Sequence, residues 1–325
     1  MTVLLETVDL AKRFPGRRGF ADLLAGRPRP VVRALDGVTL DVRRGETLGI
    51  VGESGCGKST LARCLVGLHV PDAGVVHYQG AAVASLDAAA RRSFHRQVQM
   101  VFQDPYGSLN PLMSVGDTLA EALSVHRVVP RAEIPARVQK LLDLVHLPAS
   151  AGGRYPHEFS GGQRQRIGIA RALAVEPAVI VADEPVSALD VSVQAQIINL
   201  LQELQENLGL TLVFITHDLR LVRHLTHRVA VMYLGRIVEL GPTEALFAGP
   251  RHPYTQALLR AVPMLKPGQR RADAAVRGEL PSPLAPPPGC AFHPRCGLAV
   301  AQCSAAVPAL ADRVGDWPVA CHLAG

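Results

Sequence analysis

The sequence predicts an α/β fold with a parallel sheet. A glycine-rich run follows an apolar, strand-like segment at 47–51 and precedes apolar residues at helical spacing. Apolar segments at 179–183 and 211–216 are each followed by a stretch of helical pattern. Because strands joined by crossover helices lie side by side in the same direction, this order indicates a parallel sheet.

The glycine-rich run indicates a phosphate-binding loop. It reads Gly52-Glu53-Ser54-Gly55-Cys56-Gly57-Lys58-Ser59-Thr60 and fits GxxxxGK(S/T). Its glycines let backbone N–H groups turn toward an anion, and the next helix directs its positive N-terminus at the same charge. Lys58 is expected to reach the β- and γ-phosphates of ATP, and the Ser59 hydroxyl to ligate Mg²⁺. The alternative, a glycine-rich turn with a chance lysine, is disfavoured by the strand before the run and the helical spacing after it.

The remaining elements follow from periodicity in chain order. Residues 1–50 show strands and turns, interrupted by a Gly-, Arg- and Pro-rich surface loop at 15–30. Strands are predicted at 75–79 and 98–103, a helical stretch from 104 to 147, and helices near 164–173, 192–208 and 219–225. Segments 228–233 and 236–240 are expected to form a closing hairpin.

Length and composition indicate one main domain with an appendage. The 325 residues divide into a nucleotide-binding domain at 1–249, with a helical insert at about 104–170, and an extension at 250–325, where proline becomes frequent. We find no apolar stretch long enough to span a membrane and no signal peptide, and we expect a cytosolic location. The net charge of +6 comes mostly from dispersed arginine, so no nucleic-acid partner is expected.

A pair of carboxylates ends the apolar strand at 179–183. Asp183 is expected to orient a water bound to Mg²⁺, and Glu184 to polarise the attacking water as a general base. Strand ends often carry acidic residues for structural reasons alone, but a phosphate loop in the same chain favours the catalytic interpretation.

A signature motif identifies a family. The run Phe159-Ser160-Gly161-Gly162-Gln163 resembles the LSGGQ signature of ATP-binding cassette (ABC) proteins, with phenylalanine in place of leucine. The resemblance implies a P-loop NTPase fold with a RecA-like parallel-sheet core, an antiparallel β subdomain and a helical subdomain. It also implies that the signature of one subunit caps the γ-phosphate held by another, through Ser160, the glycines and the helix N-terminus.

The same resemblance assigns further site residues. Gln103 matches the glutamine that senses magnesium and the attacking water, and His217 matches the switch histidine at the γ-phosphate. Residues 187–190, which end at Asp190, match the loop that crosses the dimer interface. Phe14 is the candidate for stacking on adenine, with Phe20 as the substitute. Because every catalytic position is present, an active ATPase is expected.

Two further stretches indicate a subgroup. Residues 101–111 and 251–259, with 279–283, look like the ATPase subunits of dipeptide and oligopeptide importers, and most like the second of their two ATPases. This likeness implies a heterodimer with a homologous ATPase, two transmembrane permease subunits, an extracytoplasmic peptide-binding protein and a peripheral location on the cytoplasmic side of the membrane. Two alternatives stay open: import of another solute such as nickel or a glycoside, and a soluble ABC ATPase that acts on ribosomes or DNA.

The C-terminal cysteines suggest a metal centre. Disulfides are disfavoured in a reducing cytosol, and four thiols are enough for an iron–sulfur cluster. The resemblance to peptide importers implies a [4Fe-4S] cluster, while zinc, weakened by the lack of a CxxC pair, and free thiols remain alternatives. The predicted ligands are Cys290, Cys296, Cys303 and Cys321, with His293 and His322 close by.

Overall fold

Two sheets organise the molecule, for which we describe a computed structural model covering residues 2–16, 29–104, 107–261, 279, 281–312, 315 and 317–324. In this part of the chain, one sheet has four strands in the order β2-β1-β4-β5 and the other six in the order β10-β9-β3-β8-β7-β6. The strands are β1 (Val3–Pro15), β2 (Val31–Arg43), β3 (Thr47–Val51), β4 (Ala73–Tyr78), β5 (Ala81–Ala82), β6 (Val98–Val101), β7 (Val179–Asp183), β8 (Thr211–Thr216), β9 (Arg228–Tyr233) and β10 (Arg236–Pro242).

The larger sheet is parallel except for its last pair, since β9 and β10 form an antiparallel hairpin. Every residue of β3, β7 and β8 is buried, as expected of parallel strands covered on both faces. Val51 pairs with Thr216, and Ile215 pairs with Asp183. The carboxyl ends of these three strands therefore meet at one edge of the sheet.

Helices cover this sheet, and several begin at a residue suited to capping. Asp87 and Ser114 accept hydrogen bonds from backbone N–H groups of the first turn of their helices, and the longest helix ends at Gly209 in the left-handed conformation. The helices are α1 (Lys58–Leu65), α2 (Ala88–Gln97), α3 (Val115–Val125), α4 (Ile134–Leu144), α5 (Gly161–Leu173), α6 (Val191–Leu208), α7 (Leu219–Leu225), α8 (Thr243–Ala248), α9 (Pro253–Ala261) and α10 (Ala301–Ala305).

The helices α3, α4 and α5 share a hydrophobic core with the sheet. Leu119, Leu123 and Leu142 belong to the same buried cluster as Ile167 of α5 and Ile180 of β7. This cluster connects the helical region to the strand that carries the acidic pair. Within the described residues, no helix combines the length and apolar character that a membrane span requires.

The chain after β10 packs back onto the sheet through a buried carboxylate. Glu239 is fully buried and accepts hydrogen bonds from the backbone N–H groups of Arg251 and His252, at 2.8 and 3.0 Å, and from Trp317 Nε1 at 3.0 Å. Backbone bonding adds to this contact, because Ala320 N donates to Val238 O at 2.8 Å. We call residues 281–312 and 317–324 the C-terminal segment.

The prediction of an iron–sulfur cluster is wrong. Among the described residues, which include all four C-terminal cysteines, no group of three or more His, Cys, Asp or Glu side chains is placed to hold a metal ion. Burial raises the pKa of the Cys290 and Cys296 thiols, and Cys303 and Cys321 are buried. Because metals bind the thiolate, the raised pKa of Cys290 and Cys296 disfavours ligation there, and none of the four cysteines is in a disulfide. The spacing of the cysteines could not show this burial.

We predict that His252 makes the fold sensitive to acid. Burial lowers the pKa of its imidazole to about 4 from a usual 6.5, although a hydrogen bond to the Ala320 backbone acts in the opposite direction. The unfolded chain therefore binds an extra proton between these values, so this contribution to stability is complete above pH 6.5 and is lost as pH falls toward 4. The loss should reach about 3 kcal/mol.

Urea unfolding at several pH values between about 7 and 4 measures this effect. His252→Asn keeps an acceptor for the Tyr254 N–H that His252 Nδ1 now accepts at 3.0 Å, and should flatten the pH dependence. The exposed His157→Asn serves as the control and should leave the slope as it is in the wild type. An unchanged slope in His252→Asn would contradict the assignment.

Candidate nucleotide-binding and hydrolysis site

The glycine-rich loop joins β3 to α1 at the carboxyl edge of the sheet. Gly52, Ser54, Gly55, Cys56 and Gly57 form the loop, and Lys58, Ser59 and Thr60 begin the helix. Gly57 has φ of 107°, and a Cβ there would collide with the carbonyl oxygen of Ala34 in β2. Glycine is required at this position because the antiparallel sheet lies directly against the loop.

Lys58 is buried at the centre of the loop, with 4% of its side chain exposed. Its Nζ donates to the carbonyl oxygens of Gly52 and Glu53 at 2.9 and 3.1 Å and lies 3.8 Å from Glu184 Oε1. A buried ammonium needs such partners, since an unpaired charge in the interior is strongly destabilising. The arrangement fits the predicted role, because phosphate oxygens could take the place of these acceptors.

Ser59 and Asp183 lie together where a cation could bind. Ser59 Oγ donates to Asp183 Oδ1 at 3.0 Å. Burial raises the pKa of Asp183, although the hydrogen bond from Ser59 acts in the opposite direction. A hydroxyl and a carboxylate beside a phosphate loop are the hard oxygen donors that Mg²⁺ prefers, so the residues fit the metal that the sequence predicts.

Glu184 contacts two other predicted site residues. Its carboxylate Oε2 lies 3.4 Å from His217 Nδ1 and accepts a hydrogen bond from Gln103 Nε2 at 3.4 Å. Its backbone is left-handed, with φ of 44°, and its N–H donates to Ile215 O at 2.9 Å. A non-glycine residue with this uncommon backbone conformation indicates a constrained position. The geometry allows Glu184 to take a proton from a water, but its role as general base stays a prediction.

The signature residues form the N-terminus of α5. Ser160 is exposed and caps the helix: its Oγ accepts from Gln163 N at 3.4 Å, while Ser160 N donates to Gln163 Oε1 at 3.0 Å. Gly161 lies against Leu189, and a Cβ on Gly162 would collide with Val193 of α6. The two glycines therefore let the signature helix pack closely on the loop at 187–190 and the helix after it.

The contacts of two predicted residues, Asp190 and Phe14, do not by themselves indicate a role in nucleotide binding. Asp190 is exposed and precedes α6, and its carbonyl accepts from Val193 N at 2.9 Å. Phe14 lies near the end of β1, edge-on to His69 with ring centroids 5.5 Å apart, and Lys12 Nζ is 5.6 Å from its ring centre. Its part in adenine stacking stays a prediction, and Phe20 lies outside the described residues.

Sequence reasoning missed residues that hold these loops. Gln194 Nε2 donates to the carbonyls of Val186 and Leu189 at 3.0 and 3.1 Å, which fixes the loop before α6. Arg164 Nε donates to Pro156 O at 2.6 Å and braces the approach to the signature. Neither has a sequence signal, because an amide or a guanidinium on a helix gives no indication of which carbonyl it will reach.

Comparison with known families agrees with this geometry. Residues 35–187 match the family described as ABC transporter, and residues 238–303 match the one described as oligopeptide/dipeptide transporter, C-terminal region. The dipeptide transport ATP-binding protein DppF of Escherichia coli is 49% identical over 319 residues, covering 98% of this chain and 93% of the relative. This chain belongs to the ATP-binding proteins of peptide ABC transporters. The family recognised from the signature motif is confirmed.

Other relatives support the assignment of this ABC ATPase. A probable peptide ABC transporter ATP-binding protein of Sinorhizobium fredii is 51% identical over 320 residues, covering 98% of this chain and 90% of the relative. The oligopeptide transport ATP-binding protein AppF of Bacillus subtilis is 48% identical over 323 residues, covering 98% and 97%. The ATP-binding proteins of this family hydrolyse ATP to drive transport, so the prediction of an ATPase is confirmed.

Solved structures confirm the ABC ATPase fold. The cbiO1 protein of Clostridium perfringens, part of the ABC transporter complex cbiONQ, has a TM-score of 0.64 and 29% identity, over 76% of this chain and 92% of that one. A dimeric ATP-binding cassette in a post-hydrolysis state, bound to ADP and Pi, has a TM-score of 0.63 and 28% identity, over 74% and 99%. The α/β architecture of this fold agrees with the predicted fold class.

We predict that Gly162→Ala disturbs the signature helix. The added methyl would collide with Val193 and should cost about 1–3 kcal/mol of unfolding free energy, measured by urea denaturation. Gly168→Ala on the same helix is the control: apart from the adjoining backbone of α5 itself, no atom lies within 4 Å of the position that its Cβ would take, so it should be neutral or stabilising by up to about 1 kcal/mol. Adding Val193→Ala to Gly162→Ala should recover part of the loss. Equal stability of the two glycine variants would contradict this packing.

We predict that Glu184→Gln binds ATP but hydrolyses it at least about 100-fold more slowly, because the amide cannot accept the proton of water. Phosphate release gives the rate, and size-exclusion chromatography with ATP should show a trapped dimer. The exposed Glu244→Gln, which removes a surface carboxylate paired with Arg223, is the control and should hydrolyse ATP as the wild type does. Wild-type turnover in Glu184→Gln would remove this residue from the general-base role.

Proposed function

We propose that this ABC ATPase powers the import of di- or oligopeptides through separate membrane permeases. The observation that carries the proposal is the match of residues 238–303 to the C-terminal region of oligopeptide/dipeptide transporters, in a chain whose Lys58, Ser59, Asp183 and Glu184 converge on one site. Relatives similar over nearly the whole chain are named for dipeptide and oligopeptide transport. The roles in their names support the same role here.

The nucleotide site is proposed to be completed by a second, homologous ATPase. Ser160 is exposed at the N-terminus of α5, and this end of a helix favours an anion. Asp190 and Val191 are also exposed, with 80% of Val191 accessible, at the loop predicted to cross the interface. A dimer would bury this apolar side chain and place the signature over the partner's phosphates. A dimeric cassette among the similar solved structures supports this arrangement.

The helical region is proposed to contact two permease subunits. Leu112 is 85% exposed between Gln103 and α3, in the stretch that follows the site glutamine. An apolar side chain this exposed gains from burial against a partner. Contact here would couple the permeases to Gln103 and, through its hydrogen bond, to Glu184. The chain would then lie on the cytoplasmic side of the membrane, and an extracytoplasmic binding protein would deliver the peptide.

We also propose the division into a nucleotide-binding domain at 1–249, with a helical insert at about 104–170, and a C-terminal extension at 250–325. The chain leaves the sheet near residue 250 and turns into α9, and Glu239 of β10 binds the N–H groups of Arg251 and His252 at this point, so the extension packs on the sheet from its first residues.

Reconstitution tests the proposed function. The chain is purified together with a homologous ATPase, two permeases and a peptide-binding protein from the same organism and placed in proteoliposomes, where ATP hydrolysis and solute uptake are measured together. Di- and oligopeptides should stimulate hydrolysis and accumulate inside, and Glu184→Gln should abolish both. Stimulation by nickel or a glycoside alone would favour the alternative importers. ATPase activity that depends on ribosomes or DNA, with no response to permeases, would overturn the proposal.

A further inference from the structure

The carboxylate and the backbone N–H of Glu53 both bond to residues that lie far away in the sequence. Its carboxylate accepts two hydrogen bonds from Arg295 of the C-terminal segment, at 2.7 Å from Nη1 and 3.0 Å from Nη2. Its N–H donates to the hydroxyl of Tyr254 at 3.0 Å, and its carbonyl accepts from Lys58. The second residue of the phosphate loop is thus held from three directions.

The Arg295 guanidinium is fixed by its own surroundings. Only 6% of its side chain is exposed, and Nη1 also donates to Tyr233 Oη at 3.3 Å. The neighbouring Phe292 packs in one buried cluster with Tyr233 and Tyr254, which carries the turn at His293–Arg295 onto the sheet. A two-pronged pair between a planar guanidinium and a carboxylate has a defined geometry, unlike most surface ion pairs.

The pair with Arg295 neutralises the negative charge of Glu53, which would otherwise oppose phosphate binding. The loop it belongs to must accept a triphosphate of several negative charges, and a carboxylate within the loop lies close enough to repel it. Arg295, with 6% of its side chain exposed, cancels that charge, whereas 26% of the Glu53 side chain is exposed, so salt can screen the carboxylate once it is unpaired. Tyr254 adds a second constraint by fixing the direction of the Glu53 N–H.

We propose that Arg295 is a positioning residue for nucleotide binding: by neutralising Glu53 it makes the C-terminal segment a determinant of ATP affinity. The inference rests on the nucleotide site of the proposed function but not on which solute is carried. The C-terminal segment thereby contributes to ATP binding from a region that sequence motifs place outside the nucleotide site.

Equilibrium ATP binding by the full-length chain tests the proposal, with a fluorescent ATP analogue displaced by ATP or ADP. Arg295→Met keeps the apolar stem and removes the charge, and should weaken ATP binding about tenfold at low salt. ATP should lose more affinity than ADP because it carries more negative charge. The loss should shrink as the ionic strength rises from about 0.05 to 0.5 M, since salt screens the carboxylate that the substitution leaves unpaired.

The decisive variant is the double substitution Arg295→Met with Glu53→Gln. Once the carboxylate is neutral, affinity should return to within about threefold of the wild type, because the repulsion is gone. Arg295→Lys, which keeps the charge without the planar fork, should lie between the wild type and Arg295→Met and provides a second variant if the latter folds poorly.

A matched arginine pair at the opposite end of β3 provides the control. Arg228 bonds Asp41 and Glu46, the latter just before β3, whereas the phosphate loop follows that strand. Arg228→Ala should lower thermal stability and leave the ATP affinity of the folded protein at the wild-type value.

Two outcomes would overturn the proposal: wild-type ATP affinity in Arg295→Met, or a double variant as weak as Arg295→Met alone, which would reduce Arg295 to a structural support. Failure of the wild-type chain to bind ATP would instead overturn the nucleotide site, and with it both proposals. Failure of peptide uptake with these binding results intact would overturn only the transport assignment.

Discussion

The burial of the Lys58 ammonium is the constraint on which the rest of the site depends. A cation with 4% of its side chain exposed must find oxygen partners within the fold, and the carbonyls of Gly52 and Glu53 supply them. Both carbonyls therefore turn inward, which fixes the course of the loop. Glu184 supplies the negative charge from another strand end, at 3.8 Å. The fold itself thus supplies partners for this cation, and a triphosphate would have to offer better acceptors than two carbonyls.

The register of the parallel sheet determines which residues can meet there. Asp183 pairs with Ile215 in β8, and Val51, the last residue before the loop, pairs with Thr216. A shift of one residue would move Asp183 along the strand by about 3.3 Å and separate it from Ser59. Because these strands are buried on both faces, such a shift would also displace apolar side chains on each face. The hydrophobic core and the site geometry are therefore specified by the same residues.

The same burial explains which elements could be predicted. Strands β3, β7, β8 and β9 lie where the sequence predicts them, at 47–51, 179–183, 211–216 and 228–233. Short apolar runs that are bounded by turns and alternate with helical segments indicate buried parallel strands. The 13-residue strand β1 has no clear limits in the sequence, since its pairing with β2 contains register shifts that break the alternation. The cysteine spacing is misleading for a related reason: it shows proximity in sequence, whereas ligation depends on convergence and ionisation. The contacts of Gln194 and Arg295 arise from tertiary proximity alone.

The capping of α5 leaves backbone N–H groups of its first turn available to an anion. The side chains of Ser160 and Gln163 each accept a hydrogen bond from the other residue's backbone N–H group. Gly161 and Gly162 are then the first-turn residues whose N–H groups have no partner within the helix. Alanine at position 162 would collide with Val193, so the close packing of this turn requires glycine. The same glycine, which has no side chain, leaves the backbone accessible. The phosphate loop, in contrast, has a buried lysine and a serine bonded to a carboxylate. The exposed N-terminus of α5 carries partial positive charge, which is the property that the proposed contact with an anion on another chain's loop requires.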